Sequence, residues 1–210
     1  MQALPNILTG IRLALSVMVF LALCMAAGAI PGIGAPAVRF GNTLLIMAFL
    51  GFMVAAVTDF FDGWIARKYN AESVAGAILD PIADKILVCG ALIGLIVIGA
   101  KAAALPAGII LFREFAVSAM REVLAPRGIK LPVTFLAKTK TTLQLVAIAA
   151  ILALPLVAGY LVGGGRAQDF ELLTRLMFGA YGLLWLAAAV TLWTGIEYAL
   201  AARRALSAKA

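Results

Sequence analysis

The sequence predicts an all-α, polytopic membrane protein: six transmembrane helices in one bundle, with a polar cavity open to the cytoplasmic side. Three observations lead there. Of 210 residues, 64% are hydrophobic and only 13% are charged, with a mean hydropathy of +1.08. A soluble domain is nearer half apolar and a quarter charged. Apolar segments of roughly 20 residues, the length that crosses the hydrocarbon, recur along the chain. Finally, Lys and Arg gather on alternate connections, as they do in membrane proteins.

The first span is predicted over residues 8–28. A cleaved signal peptide is the weaker reading of this stretch, because Pro5-Asn6 precedes it and Arg12 is its only side-chain cation. The loop GAIPGIGAPAVRFGN follows and cannot continue a helix. The second span covers 41–67 and the third 74–99, joined by the short turn RKYNAES. The fourth covers 102–124 and the fifth 134–162. A second breaker, GYLVGGGRAQD, precedes the sixth, over 171–203. With no repeat and no separate soluble segment, residues 1–210 form a single membrane domain.

Orientation follows from the basic residues. With both termini cytoplasmic, the inner side holds Arg12, Arg67, Lys68, Arg121, Arg127, Lys130, Lys138, Lys140, Arg203, Arg204 and Lys209. The outer side holds only Arg39, Lys101, Arg166 and Arg175. The net charge of +7 then suits a basic face against anionic membrane lipids. No basic run with interleaved aromatics supports nucleic-acid binding. Cys24 and Cys89 lie in apolar runs and read as small buried hydrophobes. Histidine is absent. Acid–base chemistry must therefore fall to carboxylates, Lys, Tyr or Cys.

Against this background four aspartates stand out: Asp59, Asp62, Asp80 and Asp84. Asp62 lies about nine residues before the middle of the RKYNAES turn and Asp80 about nine after it, so each sits roughly 13 Å into its helix. Asp59 and Asp84 lie about one turn deeper. Each pair shares a helix face, by i, i+3 and i, i+4 spacing. Antiparallel neighbours would bring all four carboxylates to one depth. An uncompensated central Asp costs roughly 2.5 to 3.5 kcal/mol, so four cost on the order of 10 kcal/mol. Divalent cations offset this best. Four oxygen donors without His or Cys make a hard-cation site, for Mg²⁺ or Mn²⁺. Two bridged metals would suit phosphoryl transfer. A proton or cation relay in a transporter is the alternative.

The neighbouring residues discriminate. Gly63, Ala66 and Gly76 lie on the acid-bearing turns, where small side chains leave room for a ligand as well as for helix packing. Arg67 closes the run. A relay gives no reason for these residues at these spacings.

The whole pattern, Asp59-x2-Asp62-Gly63-x2-Ala66-Arg67-x8-Gly76-x3-Asp80-x3-Asp84, resembles the signature of the CDP-alcohol phosphatidyltransferases, and no position departs from it. LPNILTGIRL, FREFAVSAMREVLA and AKTKTTLQLVA are further similar to one branch, the phosphatidylglycerophosphate synthases. The resemblance implies transfer of the phosphatidyl group from CDP-diacylglycerol to glycerol 3-phosphate. It also implies a dimer in the inner membrane of a bacterium, with two Mg²⁺ or Mn²⁺ ions.

Residue roles follow from the same resemblance. Asp59, Asp62 and Asp80 are the main metal ligands. Asp84 is the general base, with a metal contact as its second possible role. Gly63, Ala66 and Gly76 form a floor under the cytidine and diphosphate, and Arg67 pairs with a phosphate oxygen. Asn6, Thr9 and Arg12 help hold the nucleotide end; the simpler reading has Asn6 and Thr9 capping the first helix and Arg12 snorkelling. A dianionic acceptor needs cations, which points to Arg113, Arg121, Lys138 and Lys140. Arg113 is the strongest of these, since a guanidinium inside a span needs a reason, and Glu114 is its expected structural partner. Lys85 reads as a salt bridge or a snorkelling lysine. Trp64 and Tyr69 suit an interfacial aromatic belt, and the last span reads as generic.

Overall fold

Each apolar stretch forms one long helix. A computed structural model describes residues 3–34, 36, 38–69, 74–128, 135–162 and 167–207. These comprise α1 (Ala3–Ala26), α2 (Val38–Tyr69), α3 (Val74–Val97), α4 (Ala104–Leu124), α5 (Phe135–Val162) and α6 (Ala167–Ser207). Single 3-10 turns lie at Lys101–Ala103 and Ala125–Arg127. Gly99 and Gly128, at φ +101° and +67°, end α3 and the turn after α4 in the left-handed region that glycine tolerates.

Among the described residues, five helices are long and apolar enough to cross a membrane: α1, α2, α4, α5 and α6. The expected sixth span, α3, has the length, at 24 residues, but carries Asp80, Asp84 and Lys85 near its start. Its charges, not its length, set it apart from the other five.

Two boundaries differ from expectation for a physical reason. α1 begins at Ala3, upstream of Pro5. A proline in the first turn removes only an N–H that has no helical partner there, so it does not delay the helix. Neither Asn6 nor Thr9 therefore caps α1. α6 runs for 41 residues, about 60 Å at 1.5 Å per residue, twice the hydrocarbon thickness.

The core is layered from small and branched side chains. Val19 and Leu23 of α1, Ala48 and Phe52 of α2, Leu92 and Leu95 of α3, Ile110 of α4, Ile148 of α5 and Leu184 of α6 are wholly buried. Large apolar residues such as Phe112, Phe178 and Trp193 face outwards, as lipid-facing residues do. Gly94 permits the closest approach of α1 and α3: a Cβ there would lie 2.9 Å from Leu23 Cβ.

Among the described residues, α1 packs extensively along both α2 and α3, whereas α2 and α3 touch each other sparingly. The two acid-bearing helices are joined, among the described residues, mainly through α1. α4 packs on α6, and α6 on α5.

Candidate active site

The start of α1 carries a polar stripe that lipid would not tolerate. Thr9, Arg12 and Ser16 recur at i, i+3 and i+7, which is one helix face, and all three are buried, Arg12 completely. A buried guanidinium is stable only if its charge is met. Arg12 Nη1 lies 2.8 Å from Asp59 Oδ1 and 3.1 Å from Asp84 Oδ1. One nitrogen thus bridges carboxylates from α2 and α3. Thr9 Oγ1 donates to Asp80 Oδ1, and Ser16 Oγ donates to the Arg12 carbonyl at 2.7 Å.

Arg12 therefore does not snorkel; it turns inwards as the counter-charge of the acidic cluster. Asp59 and Asp84 keep 36% and 42% of their side-chain surface exposed. They are held from the α1 side and open on another.

A second polar cluster joins α4, α5 and α6. Glu114 accepts from Lys140 Nζ and lies 3.6 Å from Arg113 Nη1, which meets the expected Arg113–Glu114 pairing and adds Lys140 to it. Arg113 Nη2 donates to Thr194 Oγ1 at 3.0 Å. Arg121 Nη2 donates to Tyr198 Oη at 2.8 Å. The Tyr198 ring lies 5.4 Å from the Arg113 guanidinium and 5.1 Å from that of Arg121, within cation–π range. Below, Gln144 Nε2 donates to Thr191 Oγ1 at 2.7 Å.

The contribution of α6 corrects the reading of the last span as generic. Thr191, Thr194 and Tyr198 recur at i, i+3 and i+7, and all are buried. That polar period inside an apolar helix was the available signal.

Two cavities share a wall between the clusters. One, of about 160 Å³, is lined by Asp84, Lys85, Glu114 and Gln144 among others. The other, of about 430 Å³, is lined by Lys85, Arg113, Arg121 and Lys140, with Glu114, Glu122 and Tyr198. Pro81, Lys85, Glu114 and Thr141 border both. The larger cavity thus has four cations against two carboxylates, a balance that favours an anion. Lys85 stands between it and Asp84. No ion pair of Lys85 is found among the described residues.

Asn6 lies on α1, Asp62, Gly63, Ala66 and Arg67 on α2, Gly76 on α3 and Lys138 on α5; their side chains lie outside the described residues, as do those of Trp64 and Tyr69. Among the described residues, no three His, Cys, Asp or Glu side chains are grouped to hold a metal. The donor chemistry nonetheless suits a hard divalent cation. Carboxylates from two helices converge on one point, and a positive group already sits there.

The CDP-alcohol phosphatidyltransferase family model matches residues 2–193. A Rickettsia bellii protein named CDP-diacylglycerol–glycerol-3-phosphate 3-phosphatidyltransferase is 38% identical over 203 residues, covering 97% of each chain. Relatives of the same name from Cereibacter sphaeroides and Shigella flexneri are 42% and 38% identical. Those matches cover 70% and 74% of this chain, and 77% and 78% of the relatives. By the family model over residues 2–193 and by these relatives, the chain belongs to the CDP-alcohol phosphatidyltransferase family.

Proposed function

We propose that the protein transfers the phosphatidyl group of CDP-diacylglycerol to glycerol 3-phosphate, giving phosphatidylglycerophosphate and CMP. The observation that carries this reading is the net-basic cavity whose wall, at Lys85, adjoins Asp84. A phosphorylated alcohol held there by its phosphate would have its hydroxyl beside a carboxylate. The names of the relatives support the same donor and acceptor.

In this reading Asp84 takes the proton from the primary hydroxyl of glycerol 3-phosphate. The oxygen attacks the phosphorus that carries the diacylglycerol. The bond from that phosphorus to the bridging oxygen breaks, and CMP leaves with that oxygen. Two divalent cations, Mg²⁺ or Mn²⁺, would be held by Asp59, Asp62 and Asp80 with Asp84; when bound they screen the diphosphate and stabilise the leaving group. Arg12 and Thr9 orient the carboxylates from α1, while Asn6 supports the nucleotide end. Gly63, Ala66 and Gly76 leave space for the cytidine diphosphate, and Arg67 pairs with it. Arg113, Arg121, Lys138 and Lys140 provide positive charge for the acceptor phosphate. The site faces the cytoplasmic leaflet of a bacterial inner membrane, with both termini cytoplasmic. The working unit is a homodimer in membrane lipid.

The test is a panel of acceptors with the purified protein and CDP-diacylglycerol. CMP should be released with glycerol 3-phosphate and a divalent cation, and EDTA should abolish release. Release only with serine, inositol phosphate or phosphatidylglycerol would move the protein to another branch. Cation flux in liposomes without CDP-lipid turnover would make it a transporter.

A further inference from the structure

We infer that Tyr198 is a positioning residue for the acceptor phosphate: it fixes Arg121 against Arg113 without cancelling their charge. The inference rests on the acceptor reading of the basic cavity and names what sets its geometry.

Arg113 is buried and Arg121 exposed; two guanidinium groups on either side of one ring repel each other and need a restraint to stay in place. Arg113 has several restraints: Glu114 beside it, Thr194 accepting from Nη2 at 3.0 Å, and α6 close along its stem. Arg121 has no ion-pair partner among the described residues. Its hydrogen bond goes to Tyr198 Oη, at 2.8 Å. The same ring offers its π system to both cations, at 5.4 and 5.1 Å. Tyr198 itself is only 4% exposed, so its position is set by packing.

The choice of a phenol matters. A carboxylate there would hold Arg121 more firmly but would offset its charge. A neutral acceptor on an aromatic face orients the fork and leaves its charge to an arriving anion. The adjacent Glu197 is engaged elsewhere, accepting from Trp193 Nε1 at 3.1 Å on the exposed face. Arg121 therefore remains a pre-aimed cation on the wall of the 430 Å³ cavity, without an ion-pair partner among the described residues.

The experiment compares wild type with Tyr198→Phe, which keeps the ring and loses the acceptor oxygen. Initial rates are measured against each substrate, glycerol 3-phosphate and inorganic phosphate binding by calorimetry, and melting in detergent. The expected result is a rise of about tenfold in KM for glycerol 3-phosphate, the effect of losing one hydrogen bond to a charged group. Phosphate binding should weaken similarly. KM for CDP-diacylglycerol and the melting point should not move. Unchanged acceptor KM and phosphate affinity overturn the inference. So does a parallel loss for both substrates with a lower melting point, which would make Tyr198 merely structural. A wild type that binds phosphate but transfers to a different alcohol sinks the acceptor assignment alone; weaker phosphate binding by Tyr198→Phe would still support the inference. A wild type that binds neither phosphate nor glycerol 3-phosphate overturns both.

Discussion

Replacing Arg12 with Met removes a cation from a place where α1, α2 and α3 meet through charge. The side chain is fully buried, and Met approximates its apolar volume. The loss is therefore electrostatic rather than a cavity. The ion pairs at 2.8 and 3.1 Å disappear, leaving Asp59 and Asp84 facing each other. Breaking a buried pair costs about 3–5 kcal/mol. Both carboxylates are more than a third exposed, so water takes up part of their charge and the lower end applies, ~3 kcal/mol. For a chain of this size that corresponds to a drop of about 6–12 °C in the melting point. The assay is thermal unfolding of wild type and Arg12→Met in detergent, once in EDTA and once in excess Mg²⁺. The full drop is expected in EDTA. A smaller drop is expected in Mg²⁺, because a divalent cation at the carboxylates restores the missing compensation. An equal drop in both media would refute the reasoning, since Arg12 would then be acting through packing and not as a counter-charge.

Asp84→Asn keeps the shape of the side chain and removes the proton acceptor. Turnover should fall by about 10²–10⁴-fold, while CDP-diacylglycerol still binds in an equilibrium assay; near-normal turnover would remove the base assignment. Arg113→Ala should raise KM for glycerol 3-phosphate well above any change for CDP-diacylglycerol, since the guanidinium lines the basic cavity and not the acidic cluster. Comparable losses for both substrates would mean that Arg113 serves folding. Gly195→Ala places a Cβ 2.8 Å from Arg113 Cγ, an overpacking cost of about 1–3 kcal/mol. Arg113 must shift away from Thr194, and the variant should share the acceptor defect of Arg113→Ala in steady-state kinetics; wild-type acceptor KM would show that the Arg113–α6 contact is dispensable.

The helices were legible because bilayer thickness imposes a length on every span, and apolar runs of that length are hard to hide. α1 begins upstream of the apolar run from residue 8, at Ala3, because a first-turn proline does not obstruct a helix. The four aspartates were legible for the opposite reason: charge is so costly in a span that each one demands an explanation. What could not be read was the partner of each charge. Arg12 and Asp84 are 72 residues apart, Arg121 and Tyr198 are 77, and local periodicity says nothing about which helix lies against which. The intervention of α1 between α2 and α3 decides that Arg12 meets the acids rather than the headgroups. The choice of α6 as the neighbour of α4 turns Tyr198 from an ordinary aromatic into a restraint on two arginines. The charged residues announce where chemistry is possible, while their aim is set by neutral residues such as Thr9, Thr194 and Tyr198. These carry no charge to betray them: Thr9 was singled out only through the motif around it, and Thr194 and Tyr198 became visible once the helices were packed. A site of this kind is therefore half written in its charges and half in its packing order, and substitutions of the neutral half should disturb substrate affinity before they disturb the fold.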